Sequence, residues 1–356
     1  MFGESRGLEH ERVVSFRDHA TGVVGIIAIH STALGPAMGG LRLRRYATPA
    51  DACADVLDLA RAMSLKNAAA GLDLGGGKAV LVDDGGWADP DVRAERMRAV
   101  GRAVEELGGR YTTAPDVGTN VEDMRVIATQ TRWVAGLPVD CGGRGDPSPV
   151  TARTVFGAIA SAVRRRLDRP GLEGVRVGVQ GVGHVGAALV ARLAEAGADV
   201  TITDTDAERV RAVAAAHGVR PVEPEGFATR ELDVLAPCAV GGAITRANAA
   251  SLRCAIVAGA ANNPLEADDV AEILADREIL YVPDFIANCG GIIHVAGEAQ
   301  DLDADHVERL LTAAIERTDA LLAEALASGR MPLDLALEHA EARIARAARP
   351  RERAAV

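Results

Sequence analysis

Lysine is almost missing from this 356-residue chain: of its 39 basic residues only Lys66 and Lys78 are lysine. Arginine stays charged, whereas lysine gives up its proton when it is desolvated or set beside another cation. Keeping two lysines against that background points to chemistry that arginine cannot do. The plain alternative is a pair of solvated surface side chains. Aromatic residues are also scarce, at 3%, while glycine is plentiful at 38 residues, the balance of a glycine-rich α/β enzyme with many tight turns and close backbone approaches. Positive charge is in deficit too, 39 basic against 50 acidic residues giving a net charge of −11. That sign repels phosphate backbones and anionic lipid, so nucleic acid and membrane surfaces are poor partners and a small molecule is the better one.

The five cysteines, Cys53, Cys141, Cys238, Cys254 and Cys289, are odd in number and form no C-x-x-C pair. Zinc and dithiol redox motifs are therefore missing, and a reduced, cytoplasmic protein is expected. The first residues, Met1 to Arg6, lack the basic-then-apolar order of a secretory signal. No uncharged run reads as a membrane span, because the longest, from Ala20 to Leu41, is broken by five glycines, Pro36 and His30. H-E-x-x-H is absent, which disfavours metal-assisted hydrolysis of that type.

What is present suggests two domains. Strand-like runs at 12–16 and 23–29 flank a turn at 17–22 and predict an antiparallel pair. Thr48-Pro49-Ala50-Asp51 predicts a capped helix that continues through Val56, Leu59 and Met63 towards Lys66. A strand over 75–82, a helix over 91–107 and a short strand at Tyr111 complete an α+β substrate domain, placed at residues 1–139. The glycine- and proline-rich stretch 140–149 predicts the hinge. β-branched runs at 175–179, 200–203, 232–235, 254–258 and 279–282 alternate with helical ones, predicting a parallel sheet in a second domain at 140–324. Helices close the chain, those from about 325 to 356 being expected to return to the first domain.

Gly181-Val182-Gly183-His184-Val185-Gly186 follows a predicted strand and opens a predicted helix, the setting that a dinucleotide fingerprint requires. Asp204 ends the next strand, where a carboxylate accepts the ribose hydroxyls and repels a 2′-phosphate, so NAD is expected over NADP. Asp116, in Ala114-Pro115-Asp116-Val117-Gly118-Thr119, can shuttle a proton or can simply build an Asx turn or helix cap. Ligands of an open parallel sheet bind beyond its carboxyl ends, here marked by Cys238-Ala239, Asn262-Asn263 and Asn288, although turn-forming is the ordinary use of asparagine.

In this order the motifs resemble the glutamate/leucine/phenylalanine/valine dehydrogenase family, most of all its leucine/valine/phenylalanine branch. The resemblance rests on segments 30–40, 66–72, 75–78, 115–119, 145–152, 259–263 and 288–295, and so runs through nearly the whole chain. It implies an α/β fold of two domains, an α+β substrate domain and a Rossmann-type NAD-binding domain, with a cleft between them. It also implies a homo-oligomer, a dimer or a multiple of dimers. Under the resemblance Lys66 holds the substrate α-carboxylate with Asn262 and the backbone near Gly40, Lys78 is the base that activates water, and Asp116 exchanges protons with the departing ammonia. Thr151 and Asn288 fall near the nicotinamide, and Cys238 and Ala239 beside the cofactor. His184, Arg153 and Cys289 depart from the usual residues at their positions.

The implied reaction is reversible oxidative deamination of an L-amino acid to its 2-oxo acid and ammonia. The glutamate branch has lysine at the place of Met38 and serine at the place of Val295, so a second carboxylate would lie unpaired in an apolar pocket here. Ala114, Met38, Ile292 and Val295 instead imply a branched aliphatic side chain. Leucine, isoleucine and valine differ by too little to be separated on this basis. A phenylalanine dehydrogenase and a non-catalytic NAD-binding sensor are the competing readings.

Overall fold

The computed structural model describes residues 9–239 and 241–349, which form two compact units. Of the described residues, one unit comprises 9–145, 294–307 and 340–349, the other those within 146–293 and 308–339. The chain first passes from one to the other inside the glycine- and proline-rich stretch that predicts a hinge.

The first unit contains β1 (Arg12–Arg17), β2 (Val24–Ser31), β3 (Ala37–Arg44), α1 (Pro49–Ala69), β4 (Gly75–Val82), α2 (Pro90–Glu105), β5 (Tyr111–Pro115) and α3 (Val121–Ala128). Its sheet has the order β1-β2-β4-β3-β5. β1 pairs antiparallel with β2 and β2 antiparallel with β4, while β3 runs parallel to both β4 and β5. Side chains alternate across this sheet and sort it into two faces. Ile27, Ile29, Leu41, Leu43, Ala79 and Leu81 pack with Met97, Val100, Met124 and Ile127 of α2 and α3. Ala28 and Val80 pack with Ala52, Val56, Leu57 and Ala60 of α1. The N-terminus of α1 is fixed by a capping box in which Thr48 accepts from the Asp51 amide while Asp51 accepts from the Thr48 amide, with Pro49 supplying the preset first turn.

The second unit opens with α4 (Ser148–Leu167) and then alternates β6 (Arg176–Gln180), α5 (His184–Glu195), β7 (Asp199–Thr203), α6 (Ala207–His217), β8 (Arg220–Pro221), β9 (Val234–Pro237), α7 (Arg246–Ala249), β10 (Ile256–Val257), α8 (Val270–Asp276) and β11 (Leu280–Tyr281). Four helices follow, α9 (Asp284–Ala287), α10 (Gly290–Ala299), α11 (Ala304–Ser328) and α12 (Pro332–Ala348), of which residues 294–299, 304–307 and 340–348 belong to the first unit. Its six strands are all parallel, in the order β11-β10-β9-β6-β7-β8. Renumbered from β6, this is the doubly wound dinucleotide-binding order 3-2-1-4-5-6, whose switch point lies between β6 and β9.

Two regions differ from the sequence expectations. β3 is a central strand where only a motif is apparent in the sequence, because its glycines hide the β pattern. α4 begins at Ser148, inside the stretch that reads as loop, because the prolines at 147 and 149 sit in its first turn, where a missing amide costs nothing.

Candidate active site

The first cluster lies on the α1 side of the five-stranded sheet. Met38, Gly40 and Arg42 alternate with core-facing Leu41 and Leu43 on β3, Lys78 stands opposite Ala28, and Ala114 stands opposite Gly40. Lys78 Nζ lies 2.6 Å from Asp116 Oδ2, with the lysine side chain 7% exposed and the aspartate 20%. The space for this pair comes from Gly40: a Cβ there would lie 2.8 Å from Asp116 Cβ and 3.3 Å from Lys78 Nζ. Asp116 is held by its turn, in which its amide donates to Thr119 Oγ1 at 3.0 Å and Thr119 Oγ1 donates to the Leu41 carbonyl at 2.8 Å. The capping alternative for Asp116 is answered by Asn120, which caps α3 through its own capping box with Asp123.

Burial pushes the Lys78 ammonium below its ordinary pKa, and nearby Arg42 adds to the effect, while Asp116 opposes both. Burial alone would raise the Asp116 carboxyl, but Lys78 and Arg42 outweigh it and hold the group below the usual carboxylate range. The pair therefore sets a lysine whose ammonium form is disfavoured by burial beside a carboxylate whose charged form is favoured by two cations, an arrangement that can support proton transfer.

Lys66 is half-buried in the last turn of α1. Met38 is fully buried and Ala114 is 7% exposed, both on the face that carries Lys78. Ile292 and Val295 are half-buried and three residues apart on α10, and so share a helix face.

The second cluster gathers the carboxyl ends of β6, β7 and β9. The Gly181 amide donates to the Thr203 carbonyl at 2.8 Å and the Cys238 amide to the Gln180 carbonyl at 2.7 Å. Gly181 has φ +102°, and a Cβ there would come within 2.7 Å of Ala239 Cβ. A Cβ on Gly186 would lie 2.0 Å from the Gly181 carbonyl oxygen, so the third glycine lets α5 pack against the turn. Above Gly183, by contrast, the space is open, and this residue caps α5 with no side-chain hydrogen bond. Backbone amides at an open helix N-terminus suit a pyrophosphate. Val182 is buried, Val185 half-buried and His184 exposed on the first turn of α5. Asp204 accepts from the Val182 amide at 2.8 Å and from the Asp206 amide at 3.0 Å. These amides overcome the effect of burial and keep its carboxyl below the ordinary range, with acceptor capacity left for ribose hydroxyls. The Cys238 thiol is pushed up to about 12 by burial and stays protonated.

In the same unit Asn288 is 4% exposed. Its amide donates to Asn262 Oδ1 at 2.9 Å and to the Ala260 carbonyl at 3.1 Å. Thr151 donates to the Pro147 carbonyl at 2.9 Å. A Cβ on Gly291 would lie 2.9 Å from Thr151 Oγ1, so the starts of α4 and α10 meet here. Asn288, Asn262 and Thr151 thus belong to hydrogen-bonded segments of the second unit. Arg42 and Asp55, by contrast, escape sequence inspection although they join the first cluster. The available signal was parity, since Arg42 lies two residues beyond Gly40 on one strand face.

Residues 10–133 match the family described as "Glu/Leu/Phe/Val dehydrogenase, dimerisation domain", and residues 203–307 match "Glutamate/Leucine/Phenylalanine/Valine dehydrogenase". The valine dehydrogenase of Streptomyces virginiae is 45% identical over 339 residues, 94% of each chain. The leucine dehydrogenase of Bacillus subtilis is 41% identical over 83% of this chain and 81% of its own. Among solved structures, L-tryptophan dehydrogenase from Nostoc punctiforme superposes with a TM-score of 0.86 at 34% identity, covering 98% of this chain and all of that one. The two-domain α/β chain described here belongs to the glutamate/leucine/phenylalanine/valine dehydrogenase family.

Proposed function

We propose that the protein catalyses the NAD-dependent, reversible oxidative deamination of a branched-chain aliphatic L-amino acid to its 2-oxo acid, with release of ammonia. The observation that carries this reading is the buried Lys78–Asp116 pair at 2.6 Å, in a chain 45% identical to a valine dehydrogenase. NAD, when bound, supplies the hydride acceptor. Lys66 pairs with the substrate α-carboxylate, helped by Asn262 and the Gly40 backbone. Asp116 takes a proton from the substrate amino group and returns one to the departing nitrogen. Lys78 in its neutral form takes a proton from the water that adds to the α-carbon; as Asp116 returns its proton to the nitrogen the carbon–nitrogen bond breaks, the new hydroxyl gives its proton to solvent, and oxo acid and ammonia leave. In this reading Met38, Ala114, Ile292 and Val295 are assigned to the substrate side chain, and none of them carries a charge that could pair with a second carboxylate.

The cofactor contacts assigned are the amides of the 181–186 turn for the pyrophosphate, Asp204 for the ribose, and Cys238, Ala239, Thr151 and Asn288 for the nicotinamide side. The first unit serves as substrate and oligomerisation domain and the second as cofactor domain; the expected division at 139/140 falls at 145/146, and the chain passes back to the first unit at 294–307 and again from 340 rather than from about 325. The active form in this reading is a homo-oligomer, in keeping with the match of residues 10–133 to a dimerisation domain. A cytoplasmic location is part of the same reading. Its support is that none of the five cysteines is in a disulfide; no described helix is long and apolar enough to cross a membrane.

Valine deuterated at the α-carbon tests the reaction itself: deuterium is expected in the reduced nicotinamide, with one ammonia released per NADH formed. Label retained in valine would refute it. For the cofactor, Asp204→Asn keeps an acceptor for the Val182 amide but removes the charge that repels a 2′-phosphate. The ratio of NADP to NAD dissociation constants, read by fluorescence titration, is expected to fall about tenfold or more. An unchanged ratio would remove Asp204 from cofactor selection.

A further inference from the structure

The Lys78–Asp116 pair does not stand alone on its sheet face. Arg42 Nε lies 3.4 Å from Asp116 Oδ2, and Arg42 Nη1 lies 3.2 Å from Asp55 Oδ1. Tyr46 in turn donates its hydroxyl hydrogen to Asp55 Oδ2 at 2.6 Å. A continuous chain therefore runs Lys78, Asp116, Arg42, Asp55, Tyr46, drawn from β4, the turn after β5, β3, α1 and the loop before α1. Its charged members are sheltered, with side-chain exposures of 18% for Arg42 and 23% for Asp55. Ion pairs in such places are screened little by solvent, so each charge acts on the next.

From this chain of contacts we infer that Arg42 is a positioning residue of the reaction: bridging Asp55 and Asp116, it holds the Asp116 carboxylate against Lys78 and sets the pH range in which Lys78 acts as a base. The inference rests on the reading of Lys78 as base. A permanently charged guanidinium suits this task, since it is anchored to Asp55 by hydrogen bonds from Nη1, stands at ion-pair distance from Asp116, and never titrates with either carboxylate. The other groups around Lys78 are few. β2 places uncharged Ala28 opposite it, and Tyr111 of β5, its phenol kept neutral by burial, packs on the other face of the sheet with α2 and α3. α1 contributes Asp55 and, in its last turn, Lys66. Of the charges nearest Lys78, Asp116 and Asp55 favour its ammonium form and Arg42 disfavours it.

Opposite shifts for two neighbours follow, which a merely structural role would not produce. Across a pH series, kcat/KM for valine rises as free Lys78 loses its proton. Arg42→Met is expected to move the midpoint of that rise upward by about one unit, the size produced by removing a like charge within a few ångströms. Asp55→Asn is expected to move it downward by a smaller amount, and Arg42→Lys, which keeps the charge, to hold it near the wild-type position. The titration of valine itself is common to all variants and cancels. A fixed midpoint with only a lower rate, or shifts of the same sign in both variants, would overturn the inference. If Arg42→Met does not fold, as judged by thermal melting, Asp55→Asn decides: a downward shift supports the inference and no shift overturns it. An inactive wild type would defeat the parent reading instead, before any variant is compared.

Discussion

Lys78→Ala is expected to lower kcat for valine oxidation by about three orders of magnitude or more, within the range that a positioned base and its orienting contacts supply. NAD affinity, read by NADH fluorescence, stays as in wild type, because the turn at 181–186 and Asp204 belong to the other unit of the chain. The fold survives as well. Removing one partner of a buried pair costs ~3–5 kcal/mol when the other charge is orphaned. Here Arg42 remains 3.4 Å from Asp116, and the penalty of burying an ammonium vanishes with the lysine, so the loss is smaller. Lys78→Arg sharpens the test. Arginine restores the positive charge beside Asp116 but cannot be deprotonated, so it is expected to recover stability without recovering turnover. Turnover recovered by arginine would mean that the position supplies charge rather than a base.

Asp116→Asn is expected to cost about 10²–10⁴-fold in kcat, the usual worth of a proton-transferring side chain. It carries a second signature. Ionised Asp116 is the charge that most favours the Lys78 ammonium. Neutralising it drops the lysine pKa further, because burial and Arg42 then act unopposed. The rise of kcat/KM with pH therefore moves to lower pH in this variant even as the rate falls. Asparagine keeps the shape of the turn, whose fixed points are the backbone and the Thr119 hydroxyl, but it leaves the buried Lys78 amine without its carboxylate, so a loss of thermal stability of up to ~3–5 kcal/mol accompanies the lower rate. A lower rate with the pH midpoint unmoved would separate Asp116 from Lys78 and undo the pairing on which the mechanism rests.

The features readable in the sequence are those whose physics is local. The Thr48–Asp51 box announces the start of α1 because both its hydrogen bonds close within four residues. The turn at 181–186 is legible because its glycines answer backbone constraints that the flanking strand and helix impose. Lys66 and Lys78 are conspicuous only through the absence of other lysines. β3 is hidden because a central strand buried on both faces needs no polar alternation, and because Gly39 and Gly40 serve close packing rather than β propensity. The strands at the far edge of the parallel sheet, β10 and β11, pair over only two residues each, shorter than the apolar runs that suggest them. Arg42 and Asp55 are invisible as partners for a different reason. Thirteen positions separate them in the chain, and only the packing of α1 over β3 and β4 makes them neighbours. Sequence thus shows the groups that do chemistry more readily than the groups that tune them.

The account stands or falls most directly on NADH formation by the purified protein at saturating NAD, with valine, leucine, isoleucine, phenylalanine and glutamate supplied one at a time. Turnover led by a branched-chain aliphatic substrate, with glutamate inert, is the predicted result. Phenylalanine in the lead would keep the chemistry of Lys78 and Asp116 but contradict the pocket assigned to Met38, Ala114, Ile292 and Val295. NAD binding with no turnover of any amino acid would contradict the account at its centre and mark the protein as a sensor.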